Sequence, residues 1–147
     1  MSQTSSPSAV LSTERLISAT PRQIFSAFED PSRLAKWWGP NGFTNTFETF
    51  EFKPGGKWVF QMHGPNGVDY PNESVFREVQ PDSRILIEHV CPPWFTLTVT
   101  LSPRDNKTFL TWRQEFESPE VAQKLAAICN PGNEQNLDRL EALLSGK

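Results

Sequence analysis

Hydrophobic and polar residues alternate in short blocks through most of this chain. The clearest block sets Phe95, Leu97, Val99 and Leu101 against Thr96, Thr98 and Thr100. A period of two sends alternate side chains to opposite faces of a strand, so one face is buried and the other solvated. Trp58, Phe60 and Met62 share a face in the block Lys57 to His63. Ile85, Ile87 and His89 do so from Arg84 to Val90, and Leu110, Trp112, Gln114 and Phe116 from Thr108 to Phe116. Val10 to Ser18 and Tyr70 to Val79 read as further strands. So does the run from Phe43 to Lys53, where Phe43, Phe47, Phe50 and Phe52 mix with Thr44, Thr46 and Thr49. Turn signals separate the blocks: Pro54-Gly55-Gly56, Gly64-Pro65-Asn66-Gly67, Pro81-Asp82, Cys91-Pro92-Pro93 and Asp105-Asn106-Lys107. Strands joined by short turns predict an antiparallel meander of about seven strands, whose apolar face needs a cover.

Two helix starts interrupt the strand pattern early. Thr20-Pro21 and Asp30-Pro31 each place a side-chain oxygen at the N-cap and a proline at the first helical position. They predict two short helices joined at a sharp corner, the second closed by Trp37-Trp38. Ser118-Pro119 opens a third helix at the end of the chain. Asn130-Pro131 repeats the same signature inside it, so that helix either kinks or is broken there. At 100° per residue, Leu125, Cys129, Gly132, Asn136, Leu140 and Leu143 form one stripe, apolar at its ends and thin in the middle. This face is the predicted cover of the sheet, and its thin middle leaves space that either sheet side chains or a ligand would fill.

The whole is an α+β chain of 147 residues. It reads as a polar, serine-rich mobile tail over residues 1–9 and a single domain over 10–147. Its net charge of −3, without a Lys/Arg stripe, argues against nucleic acid as a partner. No apolar run approaches the roughly 20 residues that span a bilayer, so no membrane insertion is expected. With no signal-peptide pattern at the start, the expected location is cytoplasmic. Phe (11) and Trp (5) outnumber Tyr (1), so most ring surface lacks a hydroxyl and suits a core or an apolar pocket.

The candidate chemistry is sparse. Cys91 and Cys129 read as reduced thiols. With His63 and His89 they lack the spacing of a zinc site, so no metal and no cofactor are expected. No Gly-x-Ser-x-Gly elbow is present, and Gly55-Gly56 is too short to cradle a phosphate. Glu115 and Glu117 look like paired carboxylates but fall on the face opposite Trp112 and Phe116. His63 sits at a hairpin and is expected to be exposed. His89 shares its face with Ile85 and Ile87, and can donate, accept and titrate near neutrality.

Four stretches together resemble one family. These are Thr20-Pro21-Arg22 with Asp30-Pro31-Ser32-Arg33-Leu34-Ala35-Lys36-Trp37-Trp38-Gly39-Pro40-Asn41-Gly42-Phe43-Thr44; Lys53 to Trp58 with His63 to Gly67; Phe76 to Ile85; and Gln135 to Leu140. The chain is similar over residues 10–145 to the AHSA1-like (activator of Hsp90 ATPase homologue 1-like) branch of the START/Bet v 1-like (SRPBCC) superfamily. That resemblance implies a helix-grip fold, with a curved antiparallel sheet wrapped around the C-terminal helix and two small helices closing one end. It also implies a cavity between sheet and helix that in relatives takes hydrophobic or amphipathic small molecules. Two departures bear on the cavity's shape: Asn133 follows Gly132 where the family often has an aromatic residue, and Ser74 stands where many relatives have glycine.

The leading expectation is a non-enzymatic binding domain. Trp58, Phe60, Met62, Ile87, Val99, Trp112 and Leu140 would line the cavity, His89, Gln114 and Asn136 would orient the ligand, and Trp37 and Trp38 would stand at the mouth. One alternative is an enzyme of cyclase or hydrolase type with His89 as general base. Another is an interaction with Hsp90 like that of the co-chaperone, which carries an extra N-terminal domain where this chain is expected to be a single domain. An open sheet edge also admits a homodimer.

Overall fold

The computed structural model describes residues 9–146. The chain runs β1 (Val10–Ile17), α1 (Pro21–Glu29), α2 (Pro31–Trp37), β2 (Thr44–Phe50), β3 (Lys57–His63), β4 (Asp69–Gln80), β5 (Arg84–His89), β6 (Phe95–Arg104), β7 (Lys107–Phe116) and α3 (Pro119–Leu144). The strands form one antiparallel sheet in the order β1-β7-β6-β5-β4-β3-β2, with β1 and β2 at its edges. The predicted tail lies outside the described residues except for Ala9, whose carbonyl accepts from Phe116 N at 2.9 Å.

The two predicted corners form for the reasons their sequences give. Thr20 caps α1 in a reciprocal box, with Gln23 N donating to Thr20 Oγ1 and Thr20 N donating to Gln23 Oε1. Asp30 ends α1 by donating its N–H to Ser26 O, and starts α2 by accepting from Ser32 N and Ser32 Oγ. The hydroxyl of Ser32 is the main cause that holds the Asp30 carboxyl below its ordinary range. α1 turns Ile24, Phe25, Ala27 and Phe28 inward. Trp37 of α2 meets them edge-on to Phe28 at 4.9 Å and donates its indole N–H to Ala27 O at 3.0 Å.

Cross-strand register carries the inward side chains into rows. One row reads Phe50, Trp58, Ser74, His89, Phe95 and Phe116 from β2 to β7. The next reads Phe76, Ile87, Leu97 and Gln114, and a third reads Val79, Ile85, Val99 and Trp112. Register shifts at Phe47/Thr49 and Phe76/Glu78 mark bulges, which bend a sheet and increase its twist. At the turn before β3, a β-carbon on Gly56 would overlap the carbonyl oxygen of Glu51, so the chain passes itself closely there.

α3 is one helix through Pro131, which settles the question of a break in favour of continuity. Pro131 frees the carbonyl of Ala127, and both residues are exposed, so water can satisfy that group. The helix buries Ala122, Asn136, Leu137 and Leu140, and packs on β1, β7, α1 and α2. Leu137 lies beside the predicted stripe, while Leu125, Cys129, Gly132 and Leu143 of that stripe are half-buried. Arg15 of β1 ties the helix to the sheet edge through Glu134, Asp138 and Glu141, at 2.6, 2.7 and 2.7 Å. No described helix is long and apolar enough to cross a membrane.

The loop from α2 to β2 is seated by α3. Arg139 donates to the carbonyls of Lys36, Trp38, Gly39, Pro40 and Phe43 at 2.8–3.2 Å. Asn136 donates to Trp37 O and accepts from Gly39 N, and Gln135 accepts from Asn41 N. These carbonyls include those left open by the end of α2, where a cation is favoured. Lysine offers a compact ammonium in place of the planar fork. Arg139→Lys is therefore expected to destabilise the protein by about 2 kcal/mol or more in urea unfolding, because buried carbonyls lose their donors.

Candidate functional site

The inward face of the sheet, with Leu140 of α3, collects the predicted apolar ligand residues. Trp58, Phe60, Ile87, Val99, Trp112 and Leu140 are all at most 2% exposed, and Met62 is half-buried. Trp58 stacks on Phe60 with centroids 4.3 Å apart and lies nearly parallel to Phe76 at 5.6 Å. Phe47 and Phe50 meet Trp58 edge-on from β2. The terminal methyl of Met62 packs under Gly39, whose φ of +97° suits glycine.

Trp37 and Trp38, expected together at a mouth, divide the task. Trp37 is 1% exposed and belongs to the core. Trp38 is half-buried, and its ring lies 5.0 Å from Trp58 and 5.8 Å from Trp112. It therefore bridges Trp58 of β3 to Trp112 of β7 and is the ring of the three with a route to solvent. It is held there by its own N–H to Leu34 O and by its carbonyl, which accepts from Asn45 Nδ2 and Arg139.

The indole N–H groups divide the same way. Trp37 donates to Ala27 O, and Trp94, on the opposite face, donates to Glu88 Oε2 at 2.7 Å. The Nε1 atoms of Trp58 and Trp112 are buried and have no hydrogen-bond partner among the described residues. A buried donor without an acceptor costs about 1–3 kcal/mol. Two such donors flank Trp38.

The polar residues expected to orient a ligand are engaged with the protein. Asn136 uses both ends of its amide on the α2–β2 loop. Gln114 Oε1 accepts from Asn133 Nδ2 at 3.1 Å. His89 is 8% exposed and stacks on Phe95, with centroids 4.5 Å apart. Its Nδ1 is 2.7 Å from Pro93 O and its Nε2 2.8 Å from Asn72 Oδ1. Each nitrogen therefore faces an oxygen that can only accept, and the neutral ring donates to one of the two at a time. Burial pushes the His89 pKa below its ordinary value, against smaller opposing effects from Pro93 and Cys91.

His63 lies on the other side of the sheet, half-buried rather than open. It joins Thr46 Oγ1 and Asp69 Oδ1, each at 2.7 Å, in a relay whose outer members are exposed. Glu115 pairs with Arg113. Among the described residues no group of His, Cys, Asp and Glu is arranged to hold a metal ion. Two clefts open beside α3. One, of about 360 Å³, is lined by Ser12, Thr13, Asn130, Pro131, Asn133 and Glu134; the other, of about 380 Å³, includes Ile17, Asp138, Glu141 and Leu144. Both flank the Arg15 ion-pair cluster, and neither is lined by a predicted ligand residue. Sequence reasoning missed Arg139, Asn72 and the nearness of Cys91 to His89. Only strand register and the chain's path bring these together.

Comparison with known proteins places this geometry. The family model described as Activator of Hsp90 ATPase homolog 1-like protein matches residues 18–145. A solution structure of an Arthrobacter aurescens protein is 28% identical, with a TM-score of 0.87 over 95% of this chain and 88% of its own. A crystal structure of a Chromobacterium violaceum protein is 26% identical, with a TM-score of 0.83 over 94% of this chain and 99% of its own. The AHSA1-like protein from Aeromonas hydrophila shares the fold at 16% identity, with a TM-score of 0.76 over 94% and 96% of the two chains. No curated protein matches the sequence significantly.

The depressed pKa of His89 has a stability consequence. Below the ordinary histidine value the unfolded chain binds a proton that the folded ring resists. The stability associated with neutral His89 is thus present above about pH 6.5 and lost as pH falls below it. Urea unfolding between about pH 7.5 and 5 is expected to show a steeper loss for the wild type than for His89→Gln, which carries no titrating ring. Parallel curves would show that His89 is as easily protonated folded as unfolded.

Proposed function

The chain belongs to the activator of Hsp90 ATPase homolog 1-like family, and we propose that it binds a hydrophobic or amphipathic small molecule between the sheet and α3, without turning it over. The observation that carries this reading is the pair of buried, unpartnered indole donors on Trp58 and Trp112, set on either side of the half-exposed Trp38. An apolar body would replace ring contacts by displacing Trp38. A carbonyl or ether oxygen on that body would accept from one or both indoles. Burial of apolar surface at about 25 cal/mol per Å² would supply affinity, and the indoles would select orientation. His89, Gln114 and Asn136 support the chamber by fixing its walls, since each is already bonded within the protein.

The test is a titration of tryptophan fluorescence with planar aromatic ketones and their methylene analogues, alongside a thermal-shift screen of lipids and polyketides. The ketone is expected to bind about tenfold more tightly than its analogue, equivalent to about 1.4 kcal/mol. Trp58→Phe/Trp112→Phe keeps two rings, removes both donors and is expected to erase that preference. If no compound stabilises the protein, and the double variant changes only its melting temperature, the binding reading falls.

A further inference from the structure

Cys91 leaves the end of β5 and turns back toward His89, so that its Sγ lies 3.4 Å from His89 Nε2. The imidazole is locked on its far side. In the tautomer whose Nδ1–H donates to Pro93 O, the Nε2 lone pair lies between Asn72 Oδ1 at 2.8 Å and the thiol at 3.4 Å, and of these two only the thiol can donate to it. Asn72 is locked as well: its Nδ2 donates to Tyr70 O at 3.0 Å, so its Oδ1 is the atom turned to Nε2. The backbone of Glu73 brackets the sulfur, its N–H donating at 3.4 Å and its carbonyl accepting at 3.8 Å, so His89 Nε2 is the nearer of two acceptors for the thiol proton. Cys91 is half-buried and has no disulfide partner. Exposed Val90 and Trp94 flank this turn in sequence, and Phe95 lies flat against the imidazole.

These contacts favour one proton movement. When Nε2 takes the thiol proton, the imidazolium finds an acceptor at each nitrogen, Pro93 O and Asn72 Oδ1, while the thiolate keeps the Glu73 N–H. Burial opposes a lasting charge on the ring, so the proton moves as the sulfur attacks. The neighbouring carboxylates do not compete: that of Glu88 is turned to Arg77 and Trp94, and Glu73 is exposed.

We propose that Cys91 and His89 form a nucleophile–base pair that adds to soft carbon electrophiles of the α,β-unsaturated carbonyl class, with Asn72 as a positioning residue. His89 Nε2 takes the S–H proton, and the sulfur pair forms a bond to the β-carbon. The C=C π pair moves to the α-carbon and carbonyl oxygen, and the proton on Nε2 then passes to the α-carbon. The product is a thioether adduct, and no oxidant or leaving group is needed. Acyl transfer would require donors aimed at an oxyanion, and the nearby backbone N–H of Glu73 is directed at the sulfur instead. This site is independent of the indole chamber, so its failure would leave the binding reading intact.

N-ethylmaleimide on the full chain tests it, with adduct formation followed by intact mass and peptide mapping. Cys129, whose thiol is pushed up by burial, serves as internal reference. At about pH 6.5 Cys91 is expected to react about tenfold faster than free N-acetylcysteine, with a rate that falls as His89 protonates at lower pH. His89→Gln is expected to remove that advantage and leave only the pH dependence of an ordinary thiol. Asn72→Leu is expected to slow the reaction at neutral pH while Cys129 keeps its rate. A wild-type Cys91 that reacts no faster than N-acetylcysteine at any pH overturns the proposal without recourse to a variant. So does an unchanged pH profile in folded His89→Gln.

Discussion

The structure depends on one arginine. Arg139 sends its guanidinium into the loop that joins α2 to β2 and gathers five backbone carbonyls. Without that fork the loop would bring open carbonyls against the helix, where water reaches them poorly. Burial lowers the Arg139 pKa, but an arginine starts so far above neutrality that it stays charged. Asn136, one turn earlier, holds Trp37 O and Gly39 N from the same side. The loop is thus fixed by side chains about 100 residues away, and with it the backbone of Trp37 and Trp38.

From that seat the rest of the interior follows. Trp37 drops into the core of α1 and α2, and Trp38 is left to span Trp58 and Trp112. A residue fixed by its backbone at the edge of an aromatic cluster can move its ring without unfolding its loop. The two silent indole donors lie behind that ring. Fully packed aromatic cores ordinarily pair such groups, as Trp37 does with Ala27. Their isolation sets these two rings apart from Trp37 and Trp94, whose indole donors are paired. Arg15 performs the matching service on the far side, fastening α3 to the edge strand by three carboxylates spaced along one helical face.

The sheet distributes chemistry between its two faces and its ends. The inward face is aromatic, with small Ser74 set between Trp58 and His89 in its row. The outward face carries ion pairs such as Arg77–Glu88 and Arg84–Glu78, and the relay through His63. Among the described residues, a thiol, an imidazole and an amide converge where β5 ends. Strand ends and the loops that follow them are where a sheet can expose reactive groups without breaking its ladder.

The sequence by itself determined the element order, because the signals are local. Thr20, Asp30 and Ser118 each accept from a backbone N–H two or three residues on, and the alternation from Phe95 to Leu101 needs only the pleat of its own strand. It also assigned the inward set Trp58, Phe60, Ile87, Val99 and Trp112, since the period of two decides face once one residue is buried. It left the fate of Pro131 open, because a proline's cost depends on whether the freed carbonyl meets water, and exposure is a tertiary property. Tertiary structure alone decided that Asn136 would hold a loop, that Trp37 and Trp38 would part, and that Cys91 and Asn72 would both meet His89. Each of those contacts joins residues whose distance in space is set by register, bulges and the docking of α3, quantities that no local pattern encodes.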